Sequence, residues 1–331
     1  MNQSPLKDKF GRVHDYLRIS LIERCNLRCT YCMPEEGIVL RDKSEFMRPE
    51  EIIEMAKAFV SLGVTKIRLT GGEPLLRKGA DLVIRELGKL PVELTMTTNG
   101  VLIERYVDIL KSAGIKSINV SLDSLRGDRF EQITRIDQFD RVIENIALLK
   151  KEGFEVKVNV VLMKGVNDDE IIDLIEWGER EDISIRFIEF MPFDGNQWNS
   201  EKKVTEHEIL DIVNVHYPDK NLQQLPIGKN ATARKYQIEG KRQHFGIIST
   251  ISNPFCDSCN RIRLTADGKI KNCLFSQSET DLLTTMRKGG DITEQIVDTI
   301  IGKRRSRGGY DAFDDATVEK MENRSMVTIG G

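Results

Sequence analysis

Apolar runs rich in β-branched residues recur along the first half of the chain, at 17–22, 66–70, 92–97, 117–122, 156–163 and 183–190, and predict six strands. Between them the apolar positions switch to a helical period: Ile52, Ile53, Ala56, Phe59 and Val60; Leu82, Val83 and Leu87; Tyr106, Ile109 and Leu110; Val142, Ile146 and Leu149; Ile171, Leu174 and Ile175. Pro49 suits a first helical turn, and Gly63, Gly114 and Gly153 stand where a left-handed residue ends a helix. Asn167 with Glu170 predicts a capping box. Strand and helix in alternation, joined by right-handed crossovers, make a parallel sheet, and six such units curl into a partial (β/α)6 barrel of the TIM type. Ligands of such sheets gather beyond the carboxyl ends of the strands, where loops and helix N-termini converge.

The chain of 331 residues is 40% hydrophobic and 31% charged, enough to bury a large core, and no stretch approaches the roughly 20 apolar residues of a membrane span. A formal net charge of -3 gives no general electrostatic case for nucleic acid. The locally basic run Lys303-Arg304-Arg305-Ser306-Arg307 is expected to be a solvated loop. The N-terminus carries no apolar secretory run, so the cysteines are expected to stay reduced, in the cytoplasm, and not to form disulfides. They fall into an N-terminal and a C-terminal trio, which predicts two regions, a barrel over 1–230 and a C-terminal region over 231–331.

Cys25, Cys29 and Cys32 place three thiolates in one loop directly after the first strand, at the mouth of the predicted barrel. An iron–sulfur cube takes four cysteines, so three leave one iron open to a substrate or cofactor. A zinc knuckle is the alternative, its fourth ligand coming from elsewhere. The C-x3-C-x2-C spacing, with Tyr31 before the last cysteine, resembles the radical S-adenosylmethionine superfamily, in which the open iron binds that cofactor. After the second strand comes Gly71-Gly72-Glu73-Pro74, whose paired glycines let the backbone approach a ligand closely. In that superfamily this turn holds the methionine amino group of the cofactor. The resemblance further implies Tyr31 against the adenine, Gly72 and Glu73 at the methionine moiety, and Ser121, Asn159 and Met191 at successive strand ends.

Cys256, Cys259 and Cys273 again supply three thiolates, and the chain has no seventh cysteine. His244 or His207 could close a zinc site here. Arg261 and Arg263, at alternate positions of an extended segment, face the same side and offer two guanidinium forks suited to phosphate. With Cys25 to Pro34, Gly71 to Pro74, Phe255 to Gly268, Cys273-Leu274-Phe275 and the terminal Gly330-Gly331, the chain closely resembles the GTP 3′,8-cyclase (MoaA) family, which opens molybdenum cofactor synthesis. Lys303 to Tyr310 departs from it, lacking the Lys-Pro and His pattern often seen there.

That resemblance implies a lyase that binds two 4Fe–4S clusters and S-adenosylmethionine. The second open iron would hold the guanine of GTP, and Arg18, Lys66, Arg68, Thr97, Lys157, Arg261 and Arg263 would hold its triphosphate. Cations on inner strands are expensive to bury without an anion, which independently supports a polyphosphate; internal salt bridges to Glu73, Asp123 or Glu189 are the alternative. The reaction implied is hydrogen abstraction from ribose C3′, attack on guanine C8 and a final reduction to 3′,8-cyclo-7,8-dihydro-GTP, with Gly330 and Gly331 threading into the active site. Implied partners are a low-potential electron donor, cyclic pyranopterin monophosphate synthase downstream and a second copy of the chain in a homodimer, with no nucleic acid and no membrane. Two other functions stay open: a different radical S-adenosylmethionine enzyme with an auxiliary cluster, and a zinc-stabilised binding module.

Overall fold

The computed structural model describes residues 5–39 and 41–330. Six strands run parallel through the first half: β1 (Tyr16–Ser20), β2 (Lys66–Thr70), β3 (Glu93–Thr98), β4 (Ser117–Ser121), β5 (Glu155–Leu162) and β6 (Ser184–Glu189). They coincide with the predicted apolar runs to within a residue or two at the ends. The intervening helices are α1 (Pro49–Ser61), α2 (Ala80–Leu87), α3 (Val107–Ser112), α4 (Gly127–Thr134), α5 (Phe139–Lys151) and α6 (Ile171–Glu181). Pro49 opens α1 as expected, and Gly63, Gly114 and Gly153 take positive φ just beyond helix ends. Helix α4 lacked a sequence signal because Phe130 and Ile133 are its only large apolar residues, too few to show a period.

The expected capping box at Asn167 and Glu170 does not form. Asn167 instead donates to the carbonyls of Asp123 and Val161 at 2.8 and 2.9 Å, and Glu170 accepts from Ser124 Oγ and Leu125 N–H, both at 2.7 Å. Both side chains are spent on bracing the loop after β4, which supplies buried partners better than a helix end does.

The second half adds β7 (Leu222–Gln224), β8 (Arg234–Ile238), β9 (His244–Ile248), β10 (Arg261–Leu264), β11 (Lys269–Lys271) and β12 (Thr280–Asp281). The result is one twelve-stranded sheet in the order β12-β11-β10-β1-β2-β3-β4-β5-β6-β9-β8-β7. Strand β10 pairs parallel with β1, and β9 parallel with β6, so residues on both sides of position 230 build the same curled wall. The partial barrel is therefore wider than its six predicted units. No helix of the described residues is long and apolar enough to cross a membrane.

Alternation along the strands sorts the side chains. Leu17, Ile19, Ile67, Leu69, Ile118, Val120, Val158 and Phe187 point outward and join Phe59, Val83, Leu110, Val142, Leu149 and Ile175 of the helices in one buried core. Each such fully buried side chain contributes roughly 1.5–3 kcal/mol, so the outward face fixes the register. The inward face is polar: Arg263, Arg18 and Arg68 stand level across β10, β1 and β2, while Ser121, Asn159 and Arg186 stand level across β4, β5 and β6.

Candidate functional site

Strand β1 leads into the loop that carries the first cysteine trio. Arg28 and Thr30 donate their N–H groups to the carbonyls of Thr134 and Ile133 at 2.9 and 3.0 Å, tying the loop to the end of α4. From the other side Gly72 N–H donates to Ile22 O at 2.6 Å and Glu73 N–H to Arg24 O at 2.9 Å. A Cβ on Gly72 would stand 2.3 Å from Arg24 O, so close approach of these two loops requires glycine there. The sequence assigned the paired glycines to a ligand alone; they also clamp the cysteine loop.

Burial, reinforced by the charge of Glu73, pushes the Cys25 thiol up to about 11. Burial and neighbouring negative groups raise Cys29 and Cys32 as well. Thiols in that setting become thiolates only when a strongly positive centre binds them, which is the chemistry of a metal cluster. The donors aimed at Cys25 Sγ are neutral, Leu27 N–H at 3.4 Å and Asn99 Nδ2 at 3.5 Å.

The second trio lines the same cavity as the first. Cys256 begins a short turn before β10, and Cys273 follows β11. Burial would raise the Cys259 thiol, but Lys303 and Arg261 overcome it and hold it down to about 7. Neither proposed histidine joins this trio: His207 pairs with Asp211 on the exposed face of α7 (Glu206–His216), and His244 Nε2 faces Ser184 Oγ at 3.4 Å. Among the described residues no three Cys, His, Asp or Glu side chains are grouped as ligands of a single metal ion. A cube of iron and sulfide spreads its thiolates further apart than one zinc ion does.

Between the trios the wall is cationic. Arg18, Arg68, Arg186, Arg261 and Arg263 line the cavity together with Thr97. Burial beside other guanidinium groups pushes Arg18 and Arg186 down to about 10 and Arg263 to about 9. Arg68 is braced by Tyr16 Oη at 2.5 Å, the Met96 carbonyl at 2.7 Å and Thr97 Oγ1 at 3.2 Å. Burial raises the Tyr16 phenol, yet Arg68, Arg18 and Lys66 outweigh it and draw the group down to about 8. Such a concentration of half-buried and buried positive charge fits a polyanionic ligand. Arg186 escaped the sequence analysis, although its alternation in β6, in step with Asn159 of β5, carried the signal.

Lys66, Lys157 and Glu73 are not on the cavity wall. Lys66 pairs with Glu93 at 2.6 Å, and Lys157 with Glu155 at 2.6 Å and Ser117 Oγ at 2.8 Å. Those partners are not the Glu73, Asp123 and Glu189 named from sequence: Glu73 caps its own turn, Asp123 holds Tyr31, and Glu189 accepts from Ile251 N–H at 2.7 Å and Ser252 N–H at 3.0 Å.

Tyr31, Gly72, Ser121, Asn159 and Met191 do line the cavity. Asn196, another residue without a sequence signal, donates to the carbonyls of Tyr31 at 3.1 Å and Met191 at 2.8 Å and so couples the two loops. The buried Oδ1 atoms of Asn119 and Asn159 accept no hydrogen bond among the described residues, leaving two acceptors for the N–H or O–H groups of a bound molecule. Phe190, Phe193 and Phe275 line the cavity and pack with Phe313, Ile133 and Ile329 in one buried apolar cluster. The Gly330 carbonyl accepts a hydrogen bond from Arg263 Nη1 inside this enclosure; Gly331 lies outside the described residues. Three soft sulfurs at each end, orphaned acceptors and a cationic wall fit two open clusters, a nucleoside cofactor and a phosphorylated substrate.

Residues 19–178 match the Radical SAM superfamily, and residues 183–309 match the family described as Molybdenum Cofactor Synthesis C. A GTP 3′,8-cyclase of Thermodesulfovibrio yellowstonii is 46% identical over 302 residues, 89% of this chain and 92% of that protein. One from Peptoclostridium acidaminophilum is 42% identical, covering 100% of this chain and 99% of the relative. Molybdenum cofactor biosynthesis protein 1 of Drosophila melanogaster is 46% identical over 90% of this chain, which spans only 53% of it. The chain thus spans about half the length of such curated relatives and nearly all of the bacterial ones. The crystal structure of Streptococcus suis SuiB overlays with a TM-score of 0.66 at 16% identity, covering 90% of this chain and 69% of that one, a likeness of fold.

Proposed function

From the premise that this chain belongs to the GTP 3′,8-cyclase family, within the radical S-adenosylmethionine superfamily, we propose that it converts GTP to 3′,8-cyclo-7,8-dihydro-GTP. One observation carries this: both cysteine trios open onto a single cavity whose intervening wall is a belt of arginines, Arg68 buried and the others half-buried.

Cys25, Cys29 and Cys32 would hold the first 4Fe–4S cluster, and Cys256, Cys259 and Cys273 the second. Bound there, the first cluster with S-adenosylmethionine supplies one-electron hydrogen-abstraction chemistry. Tyr31, Gly72, Ser121, Asn159 and Met191 would orient the cofactor, with Glu73 supporting the Gly72 turn from behind. Arg18, Arg68, Arg186, Arg261 and Arg263, with Thr97, would grip the triphosphate as planar forks, so that ribose C3′ faces the first trio and the base the second. Lys66 and Lys157 would join them only by leaving Glu93 and Glu155. The phenylalanines lining the cavity would limit water at the reacting carbon, and the Gly330 tail, held by Arg263, would close the substrate end. The division of labour between 1–230 and 231–331, the low-potential electron donor, cyclic pyranopterin monophosphate synthase downstream, the homodimer and the cytoplasmic setting belong to the same proposal and rest on family likeness.

The test is anaerobic incubation of reconstituted protein with reductant, S-adenosylmethionine and GTP. Formation of 5′-deoxyadenosine that depends on GTP, with a cyclised nucleotide isomeric with GTP and so of the same mass (one hydrogen lost from C3′, one gained in the final reduction) or its acid-hydrolysed pterin, is expected. Deoxyadenosine formation indifferent to GTP would overturn the proposal.

A further inference from the structure

The basic run at 303–307 is only in part the solvated loop expected of it: Arg304 and Arg305 are exposed, but Lys303 is not. Lys303 is only 2% exposed, and its Nζ lies 3.0 Å from the Arg261 carbonyl, 3.5 Å from Cys259 Sγ and 3.5 Å from His14 Nδ1. Arg307 N–H donates to Cys256 Sγ at 3.4 Å. Gly308, at φ +68°, runs so close to Phe275 that a Cβ would meet its backbone at 2.7 Å. The segment is a strap wound round the second cysteine trio.

The N-terminal residues lock this strap. Arg12 donates to the carbonyls of Cys256 and Arg305, both at 2.7 Å, and of Arg304 at 2.9 Å, while its Nε pairs with Asp8 at 2.6 Å. Asp8 Oδ2 also faces His14 Nε2 at 3.1 Å. An ionised carboxylate only accepts, so Nε2 carries the ring proton and Nδ1 is left as an acceptor for the Lys303 ammonium. Burial and the Lys303 charge hold His14 down to about 4, so the ring is neutral in neutral solution. Asp8, His14 and Lys303 thus form an ordered chain ending on a cysteine sulfur.

We propose that Lys303 is a positioning residue of the second metal centre: its buried ammonium, oriented by His14 and Asp8, donates a charge-assisted hydrogen bond to Cys259 Sγ and raises the reduction potential of the cluster bound there. The inference rests on the reading of Cys256, Cys259 and Cys273 as cluster ligands. Net charge and hydrogen bonds to the ligating sulfurs are what a protein uses to set such a potential. The two trios differ in this respect. Cys25 receives only neutral donors with Glu73 close by, whereas Cys259 has Lys303 and Arg261 beside it. The second centre is therefore the easier of the two to reduce, and the first is kept strongly reducing, as cleavage of a sulfonium demands.

The experiment is an EPR-monitored redox titration of the full chain carrying Cys25→Ala, Cys29→Ala and Cys32→Ala, which leaves the second site alone in the spectrum. Adding Lys303→Met is expected to move its midpoint to lower potential with iron and sulfide content retained, and Lys303→Arg to bring it back toward the parent. An unchanged midpoint in a fully loaded Lys303→Met protein would overturn the inference while leaving the second cluster in place. Zinc, or no iron, in the parent would overturn the reading beneath it as well. Should Lys303→Met not accumulate as folded protein, Lys303→Gln, which keeps a donor but drops the charge, is read against the same two outcomes.

Discussion

The phenol of Tyr31, in the first cysteine loop, donates a 2.8 Å hydrogen bond to the carboxylate of Asp123 just beyond β4. The other oxygen of Asp123 accepts from Val161 N–H at 2.8 Å, so one buried carboxylate joins the cysteine loop to two strands. Burial prevails over both hydrogen bonds and raises Asp123 to about 6. Tyr31→Phe strips one donor from this charge, and leaving it short costs roughly 1–3 kcal/mol. The loss should be large at about pH 7.5, where Asp123 is ionised, and smaller at about pH 5, where it is mostly protonated. Urea unfolding of the ligand-free protein at both values checks this; an equal loss at the two would mean that Tyr31 acts by packing alone.

A second relationship concerns the chain's end. Gly330 has φ +90°, and a Cβ there would stand 2.8 Å from both Ser20 Cβ and Thr70 Oγ1. Gly330→Ala adds backbone strain of roughly 1–3 kcal/mol to this collision, enough to unseat the tail from Arg263 in all but a small fraction of molecules. Global stability should change little, because the tail is one short terminal turn. Turnover should fall about 10- to 100-fold. Comparing thermal midpoints with deoxyadenosine formed per enzyme separates the two effects, and unchanged turnover would remove Gly330 from the active site.

What the sequence made legible follows from how each signal arises. The strands and the cysteine loops were readable because alternation, β-branched content and cysteine spacing are local. Arg18 and Arg68 were named through the family resemblance, which the cost of a cation on an inner strand supported, and Arg261 and Arg263 through their alternation beside the cysteines. Arg186 was missed although its alternation in β6 carried a signal, because the family resemblance did not point to it. Within the strap at 303–309 it was Lys303 that was misjudged, because the charge of the run suggested solvent, while the strap's partners, Arg12 and His14, lie some three hundred residues away in sequence. Strand β9 was invisible and β10 was read only as an extended segment, not as part of the sheet, for a related reason: short runs such as Arg261–Leu264 join the sheet by pairing with β1. Lys66 and Lys157 looked like phosphate ligands until cross-strand and same-strand carboxylates, Glu93 and Glu155, took them up.

The arginine belt sets function against stability. Replacing Arg186 by Met keeps the bulk of the stem and removes a guanidinium that burial and Arg68 both disfavour. The ligand-free protein should become more stable, by roughly 1 kcal/mol or more, since apolar replacements of buried charge are often stabilising. GTP affinity should drop about 10- to 100-fold, the cost of one charge-assisted contact of about 1.5–3 kcal/mol. Thermal shift without ligand and calorimetric titration with GTP give the two signs. A variant that is destabilised and binds GTP normally would show Arg186 to be structural.

Glu73 gives the ligand-free protein an unusual pH response. Its carboxylate accepts from Asn99 N–H at 2.8 Å, Thr98 Oγ1 at 2.9 Å and Leu75 N–H at 3.0 Å, yet complete burial outweighs these bonds and raises the group from 4.5 to about 7. A carboxyl that binds its proton more tightly when folded stabilises fully below its unfolded value, and that contribution is lost as pH climbs through the folded one. For Glu73 the window runs from about pH 4.5 to about pH 7 and amounts to roughly 3 kcal/mol at most. Glu51 and Glu208 oppose it: though burial works against them, ion pairs and hydrogen bonds lower both to about 2, so their contribution is present above about pH 4.5 and is lost in acid. Glu73→Gln cannot ionise, so the free-energy difference between parent and variant should move against the parent between about pH 5 and about pH 7.5. Parallel curves from urea unfolding across that range would show that Glu73 is already ionised in the folded protein at the acid end, with the Gly72 turn braced by a charge and not by a neutral acid.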